Sequence, residues 1–296
     1  MIRTAVDSDK STILNFCQDT FSWGDYIQDI WNYWLSEGHL LILEKEFPVG
    51  VIHALLSNSQ VGIEGIRINP NFRRQGLATK LVQHVELLAK ENQIPFSFML
   101  IDTENLSSLS MAKNLNYGIF QTWNFYTLNP HINNRYEIQF DNNFDQSKIP
   151  QYVKSWRWLI LDKKTLSFLY QQKKIIFSDK SGPVSIAILT DSEHFDKILI
   201  VTLISGSPSN TLNLISYIQN YGAENNYRKI QILTKEILPM ANFLDHKITF
   251  NLICMFRIIL FILFILISQY EYAQNYVFGE LTENQLNTIG WNLTGN

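Results

Sequence analysis

Residues 66–81, I-R-I-N-P-N-F-R-R-Q-G-L-A-T-K-L, constrain this chain more than any other stretch. An alternating apolar strand runs into Pro70. A basic turn follows, made of Arg73, Arg74, Gln75 and Gly76, and helical spacing opens at Leu77. A turn of free backbone N–H groups at the positive end of a helix dipole binds anions. Gly76 has no Cβ, so its backbone can take unusual dihedrals and approach a ligand closely. The donors expected are the N–H groups of Arg74, Gly76, Leu77, Ala78 and Thr79. Arg73 and Arg74 bring positive charge, Ala78 leaves room, and Thr79 adds a hydroxyl. The ligand this implies carries phosphates.

The surrounding sequence supplies an alternation of strands and helices. Strands are expected at 2–6, 39–44, 49–56, 61–68, 96–101 and 120–128, and helices at 11–20, 26–35, 77–91 and 107–115. The 77–91 helix is amphipathic through Leu77, Leu81, Val85 and Leu88. The 61–68 strand is expected to hold Glu64, Ile66 and Ile68 on one face and Arg67 on the other. The aromatic run at 26–35 reads as core, with Trp23, Asp25 and Tyr26 as candidates for lining a substrate pocket. Asp25 suits a cationic amine and equally suits capping the helix that follows.

The turn resembles the acetyl-CoA-binding signature of the GNAT acetyltransferase superfamily, V-x-P-x-[FY]-[RQ]-x-x-G-x-[GA], through Ile68, Pro70, Phe72, Arg73, Gly76 and Ala78 in register. Residues 105–117 resemble a second element of that superfamily, with Asn105 at the position that helps hold the cofactor arm and Ser108 beside it. Asn116 stands where a glycine is usual, and asparagine also takes positive φ at a helix end. The resemblance implies an α/β fold with a mixed, mostly antiparallel GNAT sheet flanked by helices. It implies acetyl-CoA as co-substrate and a primary amine as acceptor. It places Ile66, Ile68, Arg73, Arg74, Gln75, Gly76, Leu77, Ala78, Thr79, Asn105 and Ser108 against the cofactor, with the main chain of Ile66 and Ile68 flanking its arm. Glu64 falls where many members carry a general base. Ala112 stands where many carry a tyrosine acid. Tyr117 is the nearby tyrosine, either an acid or a packing aromatic.

Beyond residue 130 the order of elements resembles a second GNAT copy. A strand at 136–140 and a helix at 149–155 are expected to open it. Strands at 174–178, 183–190, 197–204 and 229–233 and helices at 211–221 and 236–244 follow. Its turn, Ser205-Gly206-Ser207-Pro208-Ser209-Asn210-Thr211, has no arginine, and Pro208 removes a donor. The expected organisation is a catalytic domain over 1–130, a degenerate GNAT-like domain over 131–249, and an apolar segment with a polar tail over 250–296.

Composition bounds the rest. The chain has 296 residues, 46% hydrophobic and 13% aromatic, enough for two cores. A net charge of −3 argues against a nucleic-acid partner. Cys17 and Cys254 lie far apart and no histidine clusters with them, so neither a zinc site nor a disulfide framework is expected. The first residues lack a signal peptide's apolar core, which points to the cytosol. Residues 250–267 carry fourteen Leu, Ile and Phe against one charge, Arg257. At about −0.5 kcal/mol each against about +3 for arginine, insertion into a membrane is favourable. A buried strand pair or core helix and a membrane tether both fit this segment. The function expected is N-acetyl transfer to a small amine, amino acid or peptide N-terminus. The alternatives are an acyl-CoA-binding regulatory module and a membrane-tethered acyltransferase.

Overall fold

The structure is a computed structural model that describes residues 1–18, 20, 25–132, 135–140, 151–238 and 244–256. The chain divides into two compact units. Residues 1–120 and 251–256 form the first, and residues 121–250 form the second.

In the first unit the chain runs β1 (Ile2–Thr4), α1 (Lys10–Cys17), α2 (Ile27–Glu37), β2 (Leu40–Glu44), β3 (Pro48–Leu56), β4 (Gln60–Ile68), α3 (Leu77–Glu91), β5 (Phe96–Asp102) and α4 (Leu106–Asn114). The sheet order is β1-β2-β3-β4-β5, antiparallel except for the parallel pair β4–β5 that α3 connects. Residues 40–43 are apolar without alternation because both faces are covered. Leu41 and Leu43 meet Leu81, Val82 and Val85 of α3 in one core. Leu40 and Ile42 meet Ile13 of α1 and Ile30, Trp31 and Trp34 of α2 in another. Residues 251–256 of a late strand contribute Ile253 to the α3 core, and Phe256 packs on Phe96 with centroids 5.1 Å apart.

The second unit takes up most of β6 (Gly118–Leu128). It continues through β7 (Gln151–Lys154), β8 (Arg157–Ile160), α5 (Lys163–Gln171), β9 (Ile175–Ser178), β10 (Ser185–Asp191), β11 (Ile198–Ile204), α6 (Pro208–Glu224), β12 (Lys229–Thr234) and the start of β13 (Asp245–Phe256). Its sheet runs β6-β12-β11-β10-β9, with β11–β12 the parallel pair and α6 its crossover. The sequence β3-β4-α3-β5 of the first unit is thus repeated as β10-β11-α6-β12.

Three expectations need correction here. Residues 149–155, read as helix, contribute β7. This strand pairs with β8 through Ser155 (φ 51°) and Trp156 (φ 63°), the two left-handed residues of a tight hairpin. Residues 136–140 make only an isolated bridge, Gln139 to Phe177, where a strand was expected. Residues 235–238 are not helical, and residues 239–243 lie outside the described ones. Within the apolar segment, residues 250–256 are strand and 257–267 lie outside the described residues. Among the described residues no helix is long and apolar enough to cross a membrane.

Candidate active site

The site begins with a break in β4. Val51 pairs with Arg67 but His53 pairs with Glu64, so β4 holds one residue more than β3 over this span. The extra residue is accommodated at Gly65, whose φ of +65° is a conformation that glycine supplies at low cost. An ideal Cβ on Gly65 would lie 2.2 Å from Trp34 Cη2, so the bulge rests directly on the indole.

A one-residue bulge reverses the parity of the strand. Glu64 and Arg67 both turn to the α2 side, Glu64 to His53 and Arg67 to Asp25 and Tyr26. Ile66 and Ile68 pack on the α3 side. The expected sharing of one face by Glu64, Ile66 and Ile68 is therefore wrong. The isolated glycine in the strand was the signal for the bulge.

Beyond the bulge β4 leaves β5. The two pair only over Gln60–Ile63 and Phe96–Met99, so β4 continues to Ile68 paired with β3 but not with β5. Asn69 N–H donates to Val49 O at 2.9 Å, towards β3. By strand alternation the N–H groups of Ile68 and Ile66 face the other way, into the opening. Their carbonyls face it too, and accept from side chains: Ile66 O from Arg67 Nη1 at 3.1 Å, and Ile68 O from Arg73 Nε at 3.3 Å.

At the mouth of the opening lies the turn. Asn69 caps a short 3-10 turn, Pro70–Phe72, its Oδ1 accepting from Asn71 N–H at 3.1 Å. Arg74 (φ 59°) and Gly76 (φ 70°) are both left-handed and bracket Gln75. Alternation of this kind turns successive N–H groups to one concave side. The N–H groups of residues 74 to 79 have no acceptor among the described residues, and the first helical bond runs from Lys80 N–H to Gly76 O at 3.1 Å. A Cβ on Gly76 would meet nothing within 4 Å, so dihedral freedom, not crowding by the protein, calls for glycine here. Leu77 is buried and anchors α3, while Ala78 and Thr79 are half-buried. Lys45, which sequence reasoning missed, donates to Gln75 Oε1 at 2.9 Å and lies 4.7 Å from the Phe72 ring centroid. It adds a third cation to Arg73 and Arg74.

Asn105 caps α4, its Oδ1 accepting from Ser108 N–H at 3.1 Å. Asn116 takes φ 63° just past the C-terminus of α4, as a glycine would. Tyr117 is 6% exposed, and its hydroxyl donates to Glu86 of α3.

The α2 side of the site is charged and buried. Arg67 Nε donates to Asp25 Oδ2 at 2.6 Å, with the two side chains 14% and 4% exposed. Asp25 Oδ1 also accepts from Ile27 N–H at 3.1 Å, near the start of α2. Asp25 is thus committed to Arg67 and to its own helix. Tyr26 lies beneath Arg67, the guanidinium 5.4 Å from its ring centroid, and burial pushes its hydroxyl above the ordinary tyrosine range. Trp23 lies outside the described residues. Glu64 Oε1 is 2.8 Å from His53 Nδ1, and His53 stacks on Trp34 with centroids 4.8 Å apart. Neither His53 nor Arg67 belongs to any motif, so their places follow only from strand register and the bulge.

The equivalent region of the second unit differs at every point. β10 and β11 pair without a register shift, and β11 stays paired to β12 from Ile198 to Leu203. Gly206 N–H donates to Ser185 Oγ at 2.8 Å, Ser207 N–H to Pro183 O at 2.8 Å, and Asn210 N–H to Ser207 Oγ at 3.2 Å. A Cβ on Gly206 would lie 2.2 Å from Pro183 O. The turn is filled by its own chain, and Pro208 sits at the first helical position, where its missing donor costs least.

A parallel strand pair splayed beyond a bulge, beside a donor-lined turn at a helix start, is an arrangement that can receive the phosphates and the extended arm of a nucleotide ligand. Residues 11–117 match the model of the acetyltransferase (GNAT) family. Three solved structures share the fold. One is a protein from Thermoplasma acidophilum assigned to the acetyltransferases, 14% identical with a TM-score of 0.59, the match covering 87% of this chain and 100% of that one. Another is a GCN5-related N-acetyltransferase from Sphaerobacter thermophilus, 11% identical with a TM-score of 0.57, covering 86% and 95%. A third, from Pyrococcus horikoshii and assigned likewise, is 12% identical with a TM-score of 0.50, covering 88% and 90%. Each of these matches extends over residues of both units. No curated protein matches the sequence.

Proposed function

We propose that this protein is a tandem GNAT N-acetyltransferase of the cytosol whose first unit binds acetyl-CoA and acetylates a primary amine, and whose second unit is a degenerate copy. The acceptor class is a small amine, an amino acid or a peptide N-terminus. The observation that carries this reading is the run of unpaired N–H groups at residues 74–79, beside a strand edge left open by the bulge at Gly65. Six donors around a concave turn fit a diphosphate, and Lys45, Arg73 and Arg74 balance its charge. The edge N–H groups of Ile66 and Ile68 fit the amides of an extended arm, and Asn105 and Ser108 lie at the start of α4, just after β5. The second unit offers neither feature.

Acetyl-CoA supplies the activated acetyl group as a thioester. The turn and the β4 edge hold it and fix its carbonyl near Ile68 N–H, a donor placed to stabilise developing negative charge. Glu64 removes the proton of the attacking amine, directly or through water, so that nitrogen can attack without a covalent enzyme intermediate. Asp25 acts through Arg67, which it holds beside Tyr26 and the open edge. Tyr117 is a packing residue, because its hydroxyl is committed to Glu86, and a thiolate is a good enough leaving group to depart without it.

The test is acetyl-CoA-dependent thiol release against free amino acids, polyamines and peptides. Glu64→Gln lowers turnover on the order of a hundredfold with acetyl-CoA affinity unchanged. Unchanged turnover across pH removes Glu64 from the role. Binding of acetyl-CoA with no release against any amine would instead make the protein a regulatory module.

A further inference from the structure

We propose that Glu37, His53 and Glu64 form one proton-handling unit, in which the imidazole of His53 orients the base Glu64 and passes protons between it and Glu37. The inference rests on the reading of Glu64 as base.

His53 lies opposite Glu64 in the β3–β4 register, and its side chain is 0% exposed. Trp34 lies flat against it, at an interplanar angle of 5°. Nδ1 is 2.8 Å from Glu64 Oε1, and Nε2 is 3.5 Å from Glu37 Oε2. Nε2 is buried and makes no hydrogen bond. Glu37, the last residue of α2, is 18% exposed and Glu64 is 22% exposed. The buried imidazole therefore bridges two carboxylates that each reach solvent.

Proton counting follows from this geometry. A neutral imidazole has one N–H for two acceptor neighbours. Whichever nitrogen carries it, the lone pair of the other faces a carboxylate oxygen in a buried place, which is unfavourable. One additional proton removes the conflict, held on the imidazole or on either carboxylate. The geometry therefore suits a proton that moves along the unit. A metal ion does not suit the cluster. Its ligand atoms lie within 4.8 Å of one another, but the carboxylates stand at different nitrogens of one ring, whose lone pairs point apart.

The unit gives Glu64 two properties that a lone carboxylate lacks. His53 fixes Oε1, so the carboxylate is held in one orientation and the amine proton goes to Oε2. When an amine N–H bond breaks and a Glu64 O–H bond forms, the electron pair stays on nitrogen for the attack. The surplus proton leaves on the far side, where an Nε2–H bond breaks as a Glu37 O–H bond forms and solvent then takes the proton. The 3.5 Å gap closes to hydrogen-bond distance for that step. Charged or titratable groups near the unit include Tyr26, which feels the charge of Glu64, His39 beside β3, and Asp25 and Arg67, which are paired with each other.

The test uses the full chain. In nitrogen-15 NMR of the imidazole, the His53 signals move both in Glu37→Gln and in Glu64→Gln. His53→Phe keeps a flat ring against Trp34 but removes both nitrogens. Its kcat falls by roughly tenfold to a hundredfold, acetyl-CoA affinity holds, and the acidic limb of kcat/KM moves to higher pH. His53→Asn keeps one donor near Nδ1 but exchanges no proton, so it recovers part of kcat and not the wild-type pH limb. Should His53→Phe fail to fold, Glu37→Gln at the rim carries the pH test with the opposite sign, since losing its negative charge moves the acidic limb to lower pH. Unmoved His53 signals in both carboxylate variants overturn the proposal, as does a wild-type kcat and pH profile in folded His53→Phe. If Glu64→Gln loses turnover while His53→Phe does not, this proposal falls and the base reading stands. If Glu64→Gln keeps full turnover, both fall.

Discussion

Replacing Gly65 with alanine tests whether the bulge in β4 is held open by Trp34. The added Cβ would lie 2.2 Å from Trp34 Cη2 and 2.5 Å from Cζ3, well inside contact distance. Trp34 is 1% exposed and backed by His53, so the indole has little room to retreat. Overpacking of this kind costs about 1–3 kcal/mol. The φ of +65° adds about 1–2 kcal/mol for a residue with a Cβ. Together the loss is roughly 2–5 kcal/mol, a large share of a domain's typical stability. With a urea m-value of ~2 kcal/mol/M, the midpoint drops by roughly 1–2.5 M. Gly62→Ala on the same strand is the control, because its Cβ would meet only Leu55 Cβ at 3.9 Å, an ordinary contact. Its expected effect is within about 0.5 kcal/mol. Urea titration of the three proteins, with acetyl transfer on each, decides the matter. Equal midpoints for Gly65→Ala and wild type would refute the argument that the bulge and the indole are locked together.

Two further predictions concern other parts of the first unit. Hydrogen bonds from Arg3, at 2.7 and 2.8 Å, hold the Asp9 carboxyl below its ordinary value of 3.8. A depressed carboxylate contributes stability that is present above 3.8 and lost as pH falls through its folded value. Asp9→Asn is therefore less stable than wild type at neutral pH, and urea titrations show the gap narrowing as pH drops below that value. Tyr117→Phe keeps the ring and removes the bond to Glu86, costing about 1 kcal/mol. Its turnover stays within about twofold of wild type, whereas a loss on the order of a hundredfold would restore the phenol as the acid.

The turn was legible because its physics is local. Gly76 permits positive φ, Leu77 opens an apolar stripe, and α3 spans the expected Leu77–Glu91. The Glu64–His53 pairing was not legible, since the two residues meet only through strand register and one bulge residue reverses the face of all that follows. Gly65 carried a warning that strict alternation overrode. Glu37 and Lys45 were beyond reach for the same reason, as their partners His53 and Gln75 are distant in the sequence. The β7–β8 hairpin was missed because Ser155 and Trp156 adopt left-handed conformations without the Asn-Gly pattern that usually signals such a turn. In the second unit the run from β9 to β12 with α6 was legible from alternating apolar runs, while β8 and α5 before it were not. That the turn near Gly206 is filled by residues 183–185 was not, because those donors and acceptors come together only in the folded chain.

Acetyl transfer by this protein depends on the backbone amides of residues 74–79 receiving the diphosphate of coenzyme A. Adding acetyl-CoA to nitrogen-15-labelled full-length protein, and following each amide, addresses this directly. The account predicts saturable shifts concentrated at Arg74 and Gly76–Thr79, with smaller ones at Ile66 and Ile68 and none at Gly206 and Ser207. Signals at residues 74–79 that stay in place at millimolar acetyl-CoA, in folded protein, would contradict it.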